Sequence, residues 1–222
     1  MKLVAIDTAL EACSVGVATR HATVLRSEVV ERAHQVRLFP MMQAAMAEAG
    51  IRFEALDRIG VTVGPGSFTG IRIGVAAARG LALVTKAPVV GVTTLAVHAE
   101  SAAGQLSGRP LLVVLPARAD LLYAQLFAAD LSPLGPPRIA SAVELAQEAR
   151  SANALLAGSG ADAIAALLGG DAARIVHRNS APDIAALVRV VRAAPLPEES
   201  PKPLYLRPPD AAPQPNRAVA RQ

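Results

Sequence analysis

The order of hydrophobic and polar positions along the chain predicts three strands followed by a helix. Apolar segments at 3–6, 14–19 and 24–30 are rich in β-branched residues and are separated by short polar connections, as in an antiparallel meander. At 34–49, apolar residues recur three and four positions apart, which is the spacing of an amphipathic helix. Gly50 directly follows this pattern and is typical of the residue that ends a helix.

The next segments alternate short apolar runs with helical patterns. Residues 59–63 and 89–92 predict buried strands, and residues 71–85 and 94–103 predict helices. Three meandering strands followed by alternating strands and helices form the ribonuclease-H-like layout, in which helices cover the faces of a mixed sheet. We therefore predict an α/β fold with a ribonuclease-H-like subdomain at residues 1–106.

A second run of elements predicts a smaller, trimmed copy of this unit over residues 107–207. Its predicted strands lie at 111–115, 121–128, 154–157 and 174–176, and its predicted helices at 143–149, 161–168 and 182–193. Eight of the 17 prolines fall at or after Pro195, which excludes a helix or a central strand there. We predict a short extended segment at 203–207 that docks on the body, and a flexible, basic, Pro-rich tail at 208–222.

The amino-acid composition excludes several classes of protein and of site. Apolar residues make up 52% and charged residues 18% of the 222 positions, which excludes disorder over most of the chain. Aromatic residues are only 3%, without tryptophan, which argues against a stacking surface for single-stranded nucleic acid. Cys13 is the single cysteine, so a disulfide framework and a cysteine-based zinc site are excluded.

The charge distribution and the lengths of the apolar runs indicate which binding partners and which cellular location to expect. The net charge is +4, but residues 200–222 hold four basic residues and one acidic residue. The body before this tail is therefore nearly neutral, which argues against a strong phosphate-binding surface. No uninterrupted run reaches about 18 apolar residues, and the run before Asp7 is too short for a signal peptide. We expect a cytoplasmic protein without a membrane partner.

The most informative motif lies between a predicted strand and a predicted helix. It is the glycine-rich turn GPGSFTG at 64–70, which Arg72 follows. Backbone N–H groups and the helix dipole favour an anion at such a helix start. The glycine spacing excludes a Walker A loop, and the position of Gly66 directly before Ser67 excludes a nucleophile elbow. A phosphate or carboxylate site and a tight turn without a ligand fit this spacing equally well.

Asp7 and Thr8 end the first predicted strand. A carboxylate beside hydroxyls at a strand end is a position where metal–phosphate chemistry can occur in this layout, and the alternative is a plain turn built by the two side chains. The residues predicted to lie near an anion or a nucleotide are Asp7, Thr8, Gly64, Pro65, Gly66, Ser67, Phe68 and Thr69.

Small residues recur along the helix after the turn, with Gly70, Gly74 and Ala78 four positions apart. Such a stripe permits close approach of another helix, and it equally permits close packing on the protein's own sheet. The preceding helix carries a stripe of methionines, which suit adaptable contact surfaces. We predict that the two helices form a docking face for another subunit. Its predicted residues are His34, Leu38, Met41, Met42, Ala45, Gly70, Arg72, Ile73, Gly74, Ala77 and Leu81.

No catalytic or metal-ligating set emerges from the sequence. The four histidines are scattered, no HExxH motif is present, and no two histidines lie four positions apart. Nothing in the spacing argues for a Ser/His/Asp triad. We therefore predict no catalytic residue and no metal site in this chain.

Several segments together resemble the bacterial TsaB (YeaZ) family, and the 64–70 turn is the most specific of them. The other matching segments are the opening hairpin at 3–17, the His-x-x-x-Leu-x-Pro helix at 34–42, Gly-Val-Thr-Thr-Leu at 91–95, the hairpin at 115–127 and Pro-Leu-Tyr-Leu-Arg at 203–207. The resemblance reaches to about Arg207. It implies an actin-like, sugar-kinase-like ATPase fold made of two ribonuclease-H-like subdomains.

The resemblance also implies a function. Members of this family are paralogues of TsaD, with which they make threonylcarbamoyladenosine on tRNAs that read codons beginning with A. The chain is expected to be a non-catalytic scaffold that pairs with TsaD, after which TsaE binds the pair with ATP or ADP at the junction. It is expected to bind no cofactor alone, to contact tRNA only indirectly and to form a homodimer without TsaD. The alternative is an autonomous ATPase or a glycoprotease-like peptidase of the same fold.

Two departures from the related patterns support a catalytically silent chain. TsaD carries a metal-binding His-x-x-x-His after its corresponding turn, and the matching positions here are Thr94 and His98. Threonine is a poor substitute for an imidazole ligand. Pro116 stands where the family usually has aspartate, which removes a carboxylate that phosphate chemistry would use.

Overall fold

The computed structural model describes residues 1–30 and 34–206, and the predicted tail at 208–222 lies outside them. The strands are β1 (Leu3–Asp7), β2 (Ala12–Ala18), β3 (Thr23–Val29), β4 (Arg58–Gly64), β5 (Val89–Thr93), β6 (Leu111–Pro116), β7 (Leu121–Phe127), β8 (Arg138–Ser141), β9 (Leu155–Ala157) and β10 (Ile175–His177). The helices are α1 (His34–Glu48), α2 (Phe68–Thr85), α3 (Thr94–Ser101), α4 (Ala142–Ser151), α5 (Ala161–Leu167) and α6 (Ile184–Ala193).

The first sheet has the predicted meander followed by parallel strands. Its order is β3-β2-β1-β4-β5, with antiparallel pairing from β3 to β1 and parallel pairing from β1 to β5. Helices α1 and α2 cover one face, where Leu38 and Val75 belong to the same buried apolar cluster as Ile6. Helix α6 covers the other face, where Leu187 packs near Leu3. Both faces of the sheet are therefore covered, which explains why every residue of β1 and β4 is buried.

The second sheet repeats the topology of the first. Its order, read from the antiparallel end, is β8-β7-β6-β9-β10, with the same sequence of antiparallel and parallel pairs. Helices α4 and α5 cover one face of this sheet. The α/β fold of two ribonuclease-H-like units is thereby confirmed. Strand β8 was not predicted, because its four half-buried residues show no alternation of apolar and polar positions.

Helix α3 lies between the two sheets, and α6, although it follows the second sheet in the chain, packs on the first sheet and on α3. In α3, Leu95 packs on the second sheet and Val97 on the first. Arg58 on β4 donates hydrogen bonds to the carbonyls of Val191 (2.7 Å) and Ala194 (2.6 Å), which fixes the end of α6. The predicted range 107–207 thus contains a helix whose apolar face is buried against the first sheet.

The described part of the C-terminal segment also returns to the first unit. The backbone N–H of Leu204 donates to the carbonyl of Val63 at 2.7 Å, and its side chain packs against the core beneath α1 and α2. The carbonyl of Leu204 lies so close to Gly64 that a Cβ atom there would come within 2.8 Å of it. This segment consequently covers the carboxyl end of β4, beside the glycine-rich turn.

Helix α2 is a long and apolar helix of 18 residues. By length and composition it alone, within 1–30 and 34–206, meets the criteria for a membrane span. Six of its residues are buried inside the protein, and its start is fixed by Ser67, whose hydroxyl accepts a hydrogen bond from the N–H of Gly70. The apolar character of the buried side of α2 is explained by its packing on β1 and β4.

Candidate functional site

Asp7 is the group in the predicted site with the most unusual environment. Its side chain is completely buried at the end of β1. The Thr62 hydroxyl donates to its Oδ1 at 2.5 Å, and the N–H of Ala9 donates to the same atom at 3.2 Å. Its Oδ2 has no hydrogen-bond partner among the residues that the structure describes. Burial raises the pKa of Asp7 from 3.8 to about 6, although the two hydrogen bonds oppose the rise.

We expect Asp7→Asn to stabilise the protein at high pH. The folded pKa exceeds the ordinary value, so the stability that Asp7 contributes is fully present below pH 3.8 and is lost as the pH rises through 6. The loss above pH 7 amounts to about 3 kcal/mol. Urea unfolding should show the variant more stable than the wild type by roughly this amount at pH 8, and nearly equal to it at pH 4. The substitution Asp120→Asn, at an exposed position, is the control. An equal difference in unfolding free energy between Asp7→Asn and the wild type at pH 4 and pH 8 contradicts the raised pKa of Asp7.

The glycine-rich turn is held in place by the segment that follows Asp7. The Thr8 hydroxyl donates to the carbonyl of Gly70 at 2.7 Å, and the N–H of Ser67 donates to the carbonyl of Ala9 at 2.7 Å. A Cβ atom on Gly66 would come within 2.2 Å of the carbonyl of Ala9. The two segments therefore touch through their backbones, which requires glycine at this position.

The structure brings the predicted anion-proximal residues together but gives them different exposure. Asp7 and Thr8 are sealed beneath the turn, whereas Ser67 and Thr69 are exposed at the start of α2. A ligand at this helix start would meet the exposed hydroxyls and backbone, and it would not contact the Asp7 carboxylate. Anion or nucleotide binding at the turn stays a prediction.

A cluster of three side chains beside the turn was not predicted as a unit. The Arg72 guanidinium lies 3.7 Å from the centre of the Phe68 ring, and its Nε donates to the Tyr205 hydroxyl at 2.8 Å. The Phe68 and Tyr205 rings are 4.8 Å apart. The Tyr-Leu-Arg motif pointed to the C-terminal segment, but sequence spacing could not reveal that Tyr205 packs on α2.

The small-residue stripe on α2 faces the protein interior, which corrects the predicted docking face. A Cβ atom on Gly70 would come within 2.0 Å of the Thr8 carbonyl oxygen, and one on Gly74 within 2.6 Å of the Thr8 hydroxyl. The stripe packs on the sheet because only glycine leaves room for this close approach. The predicted docking residues that are buried inside the protein are His34, Leu38, Met42, Ala45, Gly70, Gly74 and Ala77. Those that keep some exposure are Met41, Arg72, Ile73 and Leu81.

The outer side of α1 and α2 presents an apolar surface that includes three of the predicted docking residues, Leu38, Ile73 and Ala77, and that we call the α1–α2 groove. It has a volume of about 350 Å³ and is lined by Gln35, Leu38, Phe39, Ile73, Ala76, Ala77 and Gly80. Phe39 is 47% exposed, and nothing lies within 4 Å of where a Cβ atom on Gly80 would stand. The sequence signal was a second stripe of small and apolar residues on α2, Ile73, Ala76 and Gly80, on the side away from Gly70 and Gly74.

Thr94 and His98 lie together on α3 without forming a metal site. The hydroxyl of Thr94 and both ring nitrogens of His98 are buried and have no hydrogen-bond partner among the described residues. The His98 ring stacks on His177 at 5.4 Å, and burial, with a smaller contribution from His177, lowers its pKa to about 3. Across 1–30 and 34–206, no group of three His, Cys, Asp or Glu side chains is placed to hold a metal ion.

Pro116, the second departure from the family pattern, ends β6 and is exposed. It pairs in register with Leu122 on β7, and the turn after it is closed by a hydrogen bond from the Ala117 N–H to the Leu121 carbonyl. The position thus belongs to an ordinary hairpin.

Comparison with known proteins identifies the family. A family model described as TsaD, tRNA N6-adenosine threonylcarbamoyltransferase, matches residues 25–182. The tRNA threonylcarbamoyladenosine biosynthesis protein TsaB of Escherichia coli (strain K12) is 37% identical over 123 residues, which cover 55% of this chain and 53% of that protein. The chain belongs to the TsaD-like family, and within it to the TsaB (YeaZ) branch.

Two further relatives match over nearly the whole chain. An uncharacterized protein of Mycobacterium tuberculosis (strain H37Rv) is 36% identical over 214 residues, which cover 95% of this chain and 94% of the relative. A crystal structure of a Pseudomonas aeruginosa protein with similarity to peptidase YeaZ superposes with a TM-score of 0.77 at 28% identity, covering 93% of this chain and 99% of that one. The match to the E. coli TsaB spans only about half of its length.

Proposed function

We propose that this chain is a non-catalytic scaffold subunit in tRNA threonylcarbamoyladenosine biosynthesis, and that it activates a TsaD-like transferase by docking on it. The names of its relatives support the pathway. The sealed position of Asp7 and the incomplete Thr94–His98 pair support a role without bond making or breaking. In this proposal the partner transfers the threonylcarbamoyl group to the adenosine beside the anticodon.

The observation that carries the proposal is the α1–α2 groove. Phe39 and Ile73 leave apolar surface open to solvent in the groove, and Leu83 and Val84, further along α2, are 74% and 73% exposed. Contiguous apolar surface of this kind marks an interaction site more often than a free face. A TsaD-like subunit suits it, because a homologous fold presents an equivalent pair of helices and the two faces can pack together.

The remaining parts of the assembly follow from this pairing. TsaE binds the assembled pair, and ATP or ADP binds at their junction rather than in this chain alone. The tRNA is contacted by the transferase, in keeping with the nearly neutral body of this chain. The assembly works in the cytoplasm.

Reconstitution with purified subunits tests the proposal. The TsaD-like and TsaE-like subunits, with the threonylcarbamoyl donor, ATP and unmodified tRNA, should form the modified nucleoside only when this chain is added. The chain alone should neither hydrolyse ATP nor cleave peptides. Full product formation without this chain, or ATP or peptide turnover by the chain alone that survives stringent purification, contradicts the proposal and favours an autonomous enzyme.

A further inference from the structure

Helix α2 carries positive charge that no carboxylate of the described chain neutralises. Arg72 and Arg79 lie seven residues apart, and Lys86 directly follows the helix. All three side chains are exposed, and none of them forms an ion pair within the part of the chain that the structure describes. The sequence of α2 contains no acidic residue. Seven residues are close to two helical turns, so Arg72 and Arg79 lie on the same side of α2, about 10 Å apart along its axis.

The Arg72 side chain is held in place by its neighbours before any ligand binds. The guanidinium carbon lies 3.7 Å from the centre of the Phe68 ring, and Nε donates to the Tyr205 hydroxyl at 2.8 Å. The two Nη atoms have no hydrogen-bond partner among the described residues. A guanidinium fixed in this way loses little conformational freedom on binding, and its two free donors match the geometry of a carboxylate or a phosphate.

The two arginines lie along one edge of the α1–α2 groove. Successive helix residues are about 100° apart, which places Ala76, Gly80 and Ile73 at about 40°, 80° and 100° round α2 from Arg72, on the side that lines the groove. On α1 the charge is already neutralised, because Arg37 pairs with Glu28 at 2.7 Å. The groove is therefore an apolar strip with uncompensated positive charge on its α2 edge.

We propose that the groove receives a helix of the transferase subunit that carries acidic side chains along one edge of its apolar stripe, and that these carboxylates pair with Arg72 and Arg79. The inference rests on the proposed function, from which it takes the partner and the surface. Two carboxylates seven residues apart on the incoming helix would repeat the spacing of the two arginines. A protein carboxylate fits better than an RNA phosphate, because the apolar strip beside the arginines needs an apolar counterpart that a phosphate backbone does not offer.

Association kinetics of the two purified subunits test the charge pairing. Arg79→Glu should raise the dissociation constant at least about tenfold, mainly through slower association, because a like charge then faces the incoming carboxylate. Raising the salt concentration from about 50 mM to about 500 mM should reduce this difference. Arg20→Glu is the matched control, because Arg20 is also exposed and without an ion pair among the described residues, but lies in the turn between β2 and β3. It should bind as the wild type does.

Carbodiimide coupling of the complex tests for the carboxylate itself. The variant Arg79→Lys keeps the charge and supplies an amine. The reagent activates a carboxyl group, the amine attacks it, and an amide forms with release of a urea, so coupling requires direct contact between the two groups. Mass spectrometry should find position 79 joined to an aspartate or glutamate of the transferase subunit. Arg20→Lys should give no such product in the same complex.

The outcomes separate this inference from the proposed function. A transferase subunit that binds wild type and Arg79→Glu equally well, or a complex in which position 79 couples to no carboxylate, overturns the inference and leaves the proposed function standing. A wild type that does not bind the transferase subunit at all overturns both. Retardation of tRNA by the chain alone that is lost in Arg79→Glu assigns the arginines to phosphate and also overturns the inference.

Discussion

Gly74→Leu should lower the free energy of unfolding by at least about 3 kcal/mol, whereas Gly80→Leu, in the same helix, should leave it equal or raise it by up to about 0.8 kcal/mol. Gly74 is buried, and its Cβ atom would stand 2.6 Å from the Thr8 hydroxyl and 3.4 Å from a methyl group of Val61. A leucine there forces α2 away from β1 and β4. Gly80 has open space, so leucine adds only helix propensity.

Urea unfolding followed by circular dichroism measures both values. The two variants carry the same substitution on one helix, so a difference between them reports position alone. If Gly74→Leu were as stable as the wild type, the glycine stripe would not be packed on the sheet. The stripe would then again be available to another subunit, as its spacing first indicated.

Gly80→Glu should weaken binding to the TsaD-like subunit by at least about a hundredfold, with little effect on the fold. The new carboxylate would stand in the α1–α2 groove, which Phe39 and Ile73 also line, and docking would bury it against this apolar lining. Calorimetric titration of the two purified subunits gives the dissociation constants.

Gly104→Glu is the matched control for this change. Gly104 lies in the short 3₁₀ turn after α3, and a Cβ atom there also meets nothing within 4 Å. The same residue is thus introduced at another open glycine, outside the groove. Equal affinity of the Gly80 and Gly104 variants for the transferase subunit would exclude the groove as the docking surface.

The element order was predictable because the strands are apolar runs bounded by turn residues. The first sheet could be predicted strand by strand, since β1 and β4 are buried on both faces and their centres are rich in apolar and β-branched residues. Strand β8 could not, because half-buried Arg138 and Ser141 at its ends give no periodic signal. The position of α6 was also unpredictable, because its contact with Arg58 joins residues far apart in the chain.

Two features of the candidate site, the side of α2 that faces the sheet and the burial of Asp7, could not be predicted from the sequence. Helix α2 is apolar on both sides, so periodicity could not tell whether Gly74 or Gly80 faces the sheet. Gly74 faces the sheet because it lies against Thr8, and the position of Thr8 is set by pairing between strands that are distant in the chain. Likewise the sequence placed Asp7 at a strand end but could not show that the turn seals it from solvent.

Hydrogen–deuterium exchange on the chain, alone and with a saturating TsaD-like subunit, tests most directly the claim that this protein acts through the outer side of α1 and α2. We predict slower exchange in peptides that cover residues 35–48 and 73–85, and unchanged exchange in the second sheet. Unchanged exchange in both helices, with protection confined to the second sheet, would contradict the claim.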